Sequence, residues 1–237
     1  MPKVSIERGN PKGGPDRRTA LEDALRRRIL TMEIRPGALI DEFALAEEFG
    51  LSRPPVRELL RQMAGEGYLE LEPNRPPRAA SLSYETLQDY YPVASMLYVA
   101  TTRLAAEEAT REDVENLRRI QEHFRQAVES GDVEERVMAN NEFHYEIGRI
   151  ARNDFLLPSL RRALIDHGRV GRTFFRRDPE AGEQLRLAVQ HHDQIIDAIE
   201  RHDADAAETI VIAHFDLSRR NIAAYAPSDG EEAVGGL

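Results

Sequence analysis

The stretch from Asp41 to Arg61, DEFALAEEFGLSRPPVRELLR, constrains the fold more than any other part of the chain. Asp41 can cap a short helix whose apolar positions are Phe43, Leu45, Ala46 and Phe49. Gly50 ends that helix and can supply a left-handed turn residue. Ser52 caps a second helix, and Pro54 and Pro55 lie in its first turn, where a missing N–H costs little. Val56, Leu59, Leu60 and Met63 are its inward positions, while Arg53, Arg57 and Arg61 recur every four residues and share the outer face. Helix, tight turn and helix with donors on the exposed side is a shape that enters a DNA major groove, where Arg pairs with guanine edges or clamps phosphate. A solvated Arg face on an ordinary surface helix has the same spacing, so this stretch alone leaves both readings open.

The flanks favour the first. Thr19 to Met32 has the period of a helix, set by Leu21, Ala24, Leu25, Arg28 and Ile29, and Arg35-Pro36-Gly37 is a turn. Beyond the second helix, Gly65 and Gly67 bracket a stop. Tyr68, Leu69 and Leu71 begin a strand, Arg75-Pro76-Pro77-Arg78 forms a basic hairpin tip, and Ala79 to Leu82 can return as the partner strand. The expected unit is a winged helix-turn-helix with Arg75 and Arg78 near DNA backbone or minor groove. The segments IRPGALI, LAEEFGLSRPPVRELLRQM and GYLELEPNR resemble the GntR family of bacterial transcriptional regulators over residues 19–82. The resemblance places DNA contacts on Ser52, Arg53, Arg57 and the wing tip. Two departures stand out. Pro76 and Pro77 replace the glycine usual after the wing Arg, which stiffens the tip. Asp41-Glu42-Phe43 brings no basic residue to the start of the helix that precedes the Arg-bearing one.

Charge separates the chain into two parts. Residues 1–80 carry 14 basic and 13 acidic side chains, whereas residues 81–237 carry 18 and 29. The acidic remainder would keep DNA to the N-terminal part. The chain has no Cys, which excludes disulfides, thiolate nucleophiles and thiolate metal sites. No apolar run approaches a membrane span of about 18 residues, and a cytoplasmic location is the expectation. Residues 1–16 read as a flexible arm rather than a signal peptide, and 226–237 as a frayed tail.

Residues 83–225 read as long helices with short joints, so the expected fold class is mainly α: the winged unit, then an antiparallel bundle of six or seven helices. Helices are expected from Tyr84 to Ala109 with a bend at Pro92, from Thr110-x-x-Asp113 to Ser130, from Asp132-x-x-Glu135 to Ala151, and from Asn153 towards Gly168. Arg172 to Gly182 reads as irregular or as a short extension, and two last helices span Glu183–Arg201 and Asp205–Tyr225. No Gly-rich phosphate loop, nucleophile elbow or His-Glu-x-x-His is present.

The histidines hold the chemical content of this part. Asn140 and His144 are four apart on one helix face, and His192 and His214 are equidistant from the turn at His202-Asp203-Ala204-Asp205. In an antiparallel hairpin those two sit at one depth. Three imidazoles and an oxygen donor suit a first-row divalent ion, with zinc or nickel favoured where Cys is absent. Helical histidines more often cap, pair or face solvent, and His191 beside His192 leaves the register open.

FHYEIGRIARNDFL and HHDQIIDAIERHDADAAETIVIAHF resemble the ligand-binding domain, called FCD, of the FadR-like branch of that family, over residues 83–220. The resemblance implies metal ligands at Asn140, His144, His192 and His214, and a small carboxylate effector held beside the ion. Ala94-Ser95-Met96-Leu97-Tyr98 stands where the family carries Arg-x-x-Leu-Glu, so the usual anion-gripping Arg is absent. Tyr98, Arg149, Arg169 and Arg172 are the candidates to replace it. The expected protein is a ligand-responsive transcriptional regulator, more often a repressor in this family, and not an enzyme. As a homodimer it would bind an inverted-repeat operator. A metal-dependent enzyme in the helical part and a constitutive DNA-binding protein without effector are the alternatives.

Overall fold

A computed structural model describes residues 14–174 and 181–219. The reading unit comprises α1 (Gly14–Leu30), α2 (Glu42–Glu48), α3 (Arg53–Glu66), β1 (Leu69–Glu70) and β2 (Arg78–Ala79). The body follows as α4 (Tyr84–Glu108), α5 (Arg111–Ser130), α6 (Val133–Ile150), α7 (Leu156–Phe174), α8 (Ala181–Glu200) and α9 (Ala204–Arg219). The class is mainly α, a winged helix-turn-helix followed by six described bundle helices.

Local chemistry sets most boundaries. Asp41 caps α2 by accepting from the Phe43 and Ala44 N–H groups, and Gly50 follows at φ +61. Thr110 and Asp113 close a reciprocal capping box on α5, and Gly131 ends that helix in the left-handed region. Asp132 caps α6 through Glu134 and Glu135, and Asn153 accepts from Phe155 and Leu156 at the start of α7. The hairpin pairs Leu69 with Ala79 and Glu70 with Arg78. Residues 37–40 clasp its second strand, because Ile40 N–H donates to the Pro77 carbonyl and Ala79 N–H to the Ala38 carbonyl.

Several expectations need correction. Helix α1 begins at Gly14, inside the expected arm, and the rest of that arm and the tail at 226–237 lie outside the described residues. Ser52 precedes α3 at the cap position, yet its side chain makes no capping bond; Pro at the first turns leaves few N–H groups to accept from. Of the two expectations for the stretch from Arg172, the short extension is the one seen, since α7 reaches Phe174, and residues 175–180 lie outside the described residues. Phe43 is not an inward residue but 61% exposed.

Each part has its own hydrophobic core. Leu21, Leu25, Ile29, Val56, Leu59, Leu60 and Met63 fill the reading unit. The body is centred on Tyr98, Phe143, Ile147, Leu160, Ile195 and Phe215. Leu30 of α1 joins the two by packing on Val137 of α6 and Ile165 of α7. Gly168 allows this approach, since a Cβ there would lie 3.2 Å from Leu30 Cδ2 and 3.0 Å from Asn141 Nδ2. Beside the contact runs a cleft of about 900 Å³, lined by Arg26, Tyr68, Tyr145 and Arg161 among others.

Candidate metal centre and nucleic-acid interface

Three helices bring their imidazoles to one point in the body. His144 comes from α6, His192 from α8 and His214 from α9. All three are buried, and their ligand-capable nitrogens lie within 4.8 Å of one another. The two hairpin residues sit side by side, with ring centroids 4.6 Å apart. His144 Nε2 is 3.2 Å from His214 Nε2. That separation matches two nitrogens sharing a tetrahedral ion, about 3.3 Å for bonds of about 2.0 Å.

The tautomer of His192 follows from its neighbours. Gln121 on α5 donates its Nε2 to the Val189 carbonyl and to Asp193 Oδ1. Its Oε1 therefore faces His192 Nδ1, at 2.9 Å, and can only accept. His192 must be protonated at Nδ1, which leaves a bare lone pair on Nε2. That Nε2 is buried without a partner, as are His214 Nδ1 and the Tyr98 hydroxyl. Unpaired buried polar atoms cost free energy, which a group bound among them would offset. An electrophilic cation beside His192 Nε2 would satisfy that lone pair, so the donor set fits a divalent ion.

Electrostatics agree. Burial, followed by the neighbouring imidazoles, holds the basicity of His144 and His192 well below the ordinary histidine value. The same cause brings His214 down to about 3. These groups stay neutral at physiological pH, as metal ligation requires.

A fourth imidazole, His167 of α7, escaped the sequence reading. Its ring lies 5.1 Å from that of His144 and stacks on Tyr98 at 5.4 Å. Burial lowers its pKa to about 4. Its Nε2 is 2.7 Å from Asn140 Nδ2, so the Asn140 side chain is engaged with His167 rather than standing alone beside His144. Seven histidines in the chain were a weak signal, and only the packing of α7 on α6 selects this one.

Of the other effector candidates, only the arginines lie apart. Tyr98 is at the cluster, its ring 4.8 Å from His144. Arg149 pairs with Glu146 at 2.7 Å and Asp113 at 3.3 Å. Arg169 is buried between Asp166 and the Ala80 carbonyl, at the joint with the reading unit. Arg172 donates to the Thr31 carbonyl at the end of α1. These arginines are spent on tying elements together.

On the reading unit, Ser52, Arg53, Arg57 and Arg61 form one exposed stripe along α3. At the hairpin, Arg75 and Arg78 both pair with Glu72, at 2.7 and 3.0 Å. A model of the bacterial regulatory proteins of the gntR family matches residues 17–77, and one of the FCD domain matches residues 89–217, more than half the chain.

The chain belongs to the GntR family. It is a DNA-binding regulator of the FCD-bearing, FadR-like branch, not an enzyme. It is 28% identical to the Nta operon transcriptional regulator of Aminobacter aminovorans, over 78% of this chain and 84% of that one. It is 30% identical to the probable D-xylose utilization operon transcriptional repressor of Paenarthrobacter nicotinovorans, over 85% and 86% of the two. The solved structure of E. coli McbR/YncC superposes with a TM-score of 0.74 at 22% identity, covering 88% of this GntR-family chain and 96% of that one. Among the described residues no helix is long and apolar enough to cross a membrane.

Proposed function

We propose that this GntR-family regulator is a ligand-responsive repressor, controlled by a small carboxylate metabolite bound at a divalent ion on His144, His192 and His214. The ion is zinc or nickel, and Asn140, anchored by His167, stands as a weaker oxygen ligand or neighbour. The carrying observation is the bare, buried Nε2 of His192, forced by the Gln121 bond to point a lone pair at His144 and His214. Three neutral imidazoles without a carboxylate leave the ion's charge uncompensated, and open positions on it attract an anion. The Tyr98 hydroxyl is unpaired, on a ring packed against that of His144, and is a donor for that anion. With Arg149, Arg169 and Arg172 engaged elsewhere, ion and phenol carry the recognition.

On DNA, Ser52, Arg53, Arg57 and Arg61 contact the major groove, while Arg75 and Arg78 meet the adjacent backbone or minor groove. A homodimer on an inverted repeat supplies the surface that one short helix lacks. The protein works in the cytoplasm, and the description of the Paenarthrobacter relative as a repressor supports the repressive mode.

Elemental analysis of the purified chain, with and without His192→Ala and His214→Ala together, tests the site. Metal should be present in the parent and absent from the double variant. Calorimetry of sugar acids, dicarboxylates and hydroxy acids, with and without chelator, tests the effector. An effector whose affinity ignores the chelator would remove the ion from the recognition step.

A further inference from the structure

The two arginines at the front of α3 are held by the first turn of α2. Arg57 donates its Nε to Glu42 Oε2 at 2.7 Å, and the same oxygen lies 3.9 Å from an Arg53 terminal nitrogen. The Arg53 guanidinium carbon sits 3.9 Å above the centre of the Phe43 ring. Phe43 is 61% exposed, so the ring is spent on Arg53 and not on the core. Asp41 caps this turn through the Phe43 and Ala44 N–H groups and fixes the backbone that carries both side chains.

We infer that Glu42 and Phe43 are positioning residues that set the DNA specificity of this regulator by aligning Arg57 and Arg53 before DNA arrives. The inference rests on the proposed reading of Arg53 and Arg57 as groove contacts. Fold stability does not account for the arrangement, since ion pairs as exposed as this one contribute little. Engagement at Nε alone leaves the two terminal nitrogens of Arg57 free. They form the planar fork that matches guanine O6 and N7. Fixing that fork in advance removes part of the entropy lost on binding, and the benefit reaches only DNA whose bases meet it. Elsewhere the Glu42 carboxylate faces phosphate and opposes binding. The clamp therefore favours the right sequence twice, by preparing the contact and by penalising the generic one. The missing basic residue at the start of α2 is part of the same device.

The test uses the full-length protein, a duplex selected by it from a random-sequence library, and a scrambled duplex of equal composition. Glu42→Gln keeps the shape and removes the charge. The ratio of selected to scrambled affinity should fall roughly three- to tenfold, the cost of re-ordering one long side chain. Affinity for the scrambled duplex should rise, and its log–log salt slope should steepen by about 0.9 as the freed Arg57 reaches a phosphate. Phe43→Leu should lower the ratio in the same direction through Arg53. The Arg57 Nε–H resonance, read in the free protein, should lose part of its protection from exchange in Glu42→Gln, where a neutral amide oxygen replaces the carboxylate, and this readout is independent of DNA. Arg57→Ala is the reference. If it lowers the ratio while Glu42→Gln leaves ratio, slope and resonance unchanged, the positioning role is wrong. If Arg57→Ala itself changes nothing, the reading of Arg57 fails and the inference falls with it. A loss of affinity for both duplexes in equal proportion would also overturn it.

Discussion

At the residue scale, Gln121 decides what the histidine cluster can do. Its Oε1 fixes which nitrogen of His192 carries the proton. Its own amide is oriented by Val189 and Asp193, and Asp193 is held in turn by Arg125 at 2.9 Å. Gln121→Leu should therefore weaken metal binding roughly 10- to 100-fold, as losses behind a ligating His do. Chelator competition measures it, and an unchanged affinity would mean the tautomer is set otherwise. The same burial predicts a pH response in the metal-free protein. His167 and His214 take up protons only near 4 and 3 when folded, against 6.5 for the free side chain. The unfolded chain binds those protons first, so stability is full above pH 6.5 and is lost as pH falls from 6.5 through 4 towards 3. The loss for His167 is on the order of 3 kcal/mol. Denaturant unfolding of the chelated protein at pH 7 and 5 should show the lower stability at pH 5; equal midpoints would contradict the neutral, buried cluster.

At the scale of elements, α6 and α7 must pack closely for Asn140 to meet His167. Gly148 permits it, because a Cβ there would lie 2.3 Å from Leu160 Cδ2, and Leu160 is fully buried. Gly148→Ala should overpack this contact and cost about 1–3 kcal/mol. A denaturation midpoint equal to the parent's would show that α7 can give way freely. This contact also shows where sequence reasoning stops. The helices and their caps were legible because Asp41, Thr110, Asp113 and Asp132 act on N–H groups two or three residues away. The pairing of His192 with His214 was legible because a hairpin relates positions by distance from its turn. His167 was not, since the rotation of α7 against α6 depends on packing at Gly148 and Leu160 that no local pattern encodes. Phe43 misled for a related reason: an apolar residue at a helical position reads as core unless its real partner, Arg53, is known. Arg149, Arg169 and Arg172 were candidates by residue type alone, and their partners lie at separations from 3 to 141 residues.

At the scale of the whole molecule, α7 lies between the cluster and the reading unit and touches both. One side carries His167, against Asn140 and Tyr98. The other carries Ile165 and Gly168 against Leu30, and Arg172 on the Thr31 carbonyl. Arg169 spans the joint from Asp166 to the Ala80 carbonyl, just after the hairpin. A shift of His167 when the site fills would therefore move the groups that seat the reader, and the cleft beside Tyr68 gives the reader room to follow. The coupling is a difference in free energy between two placements, which a ligand can bias only by binding them unequally. Removing the proposed ion from the parent should change affinity for its selected duplex by a factor within the usual allosteric range, roughly 5- to 150-fold. Arg169→Met keeps the buried stem but deletes the link to Ala80, and Arg162 remains to hold Asp166 at 2.9 Å. That variant should bind metal and DNA separately as before, with the factor connecting them reduced towards one. Fluorescence titrations of labelled duplex, with and without chelator, give the factor for both proteins. If Arg169→Met preserves it in full, the signal reaches the reader by another route, and the Arg172 contact with α1 is the next to cut.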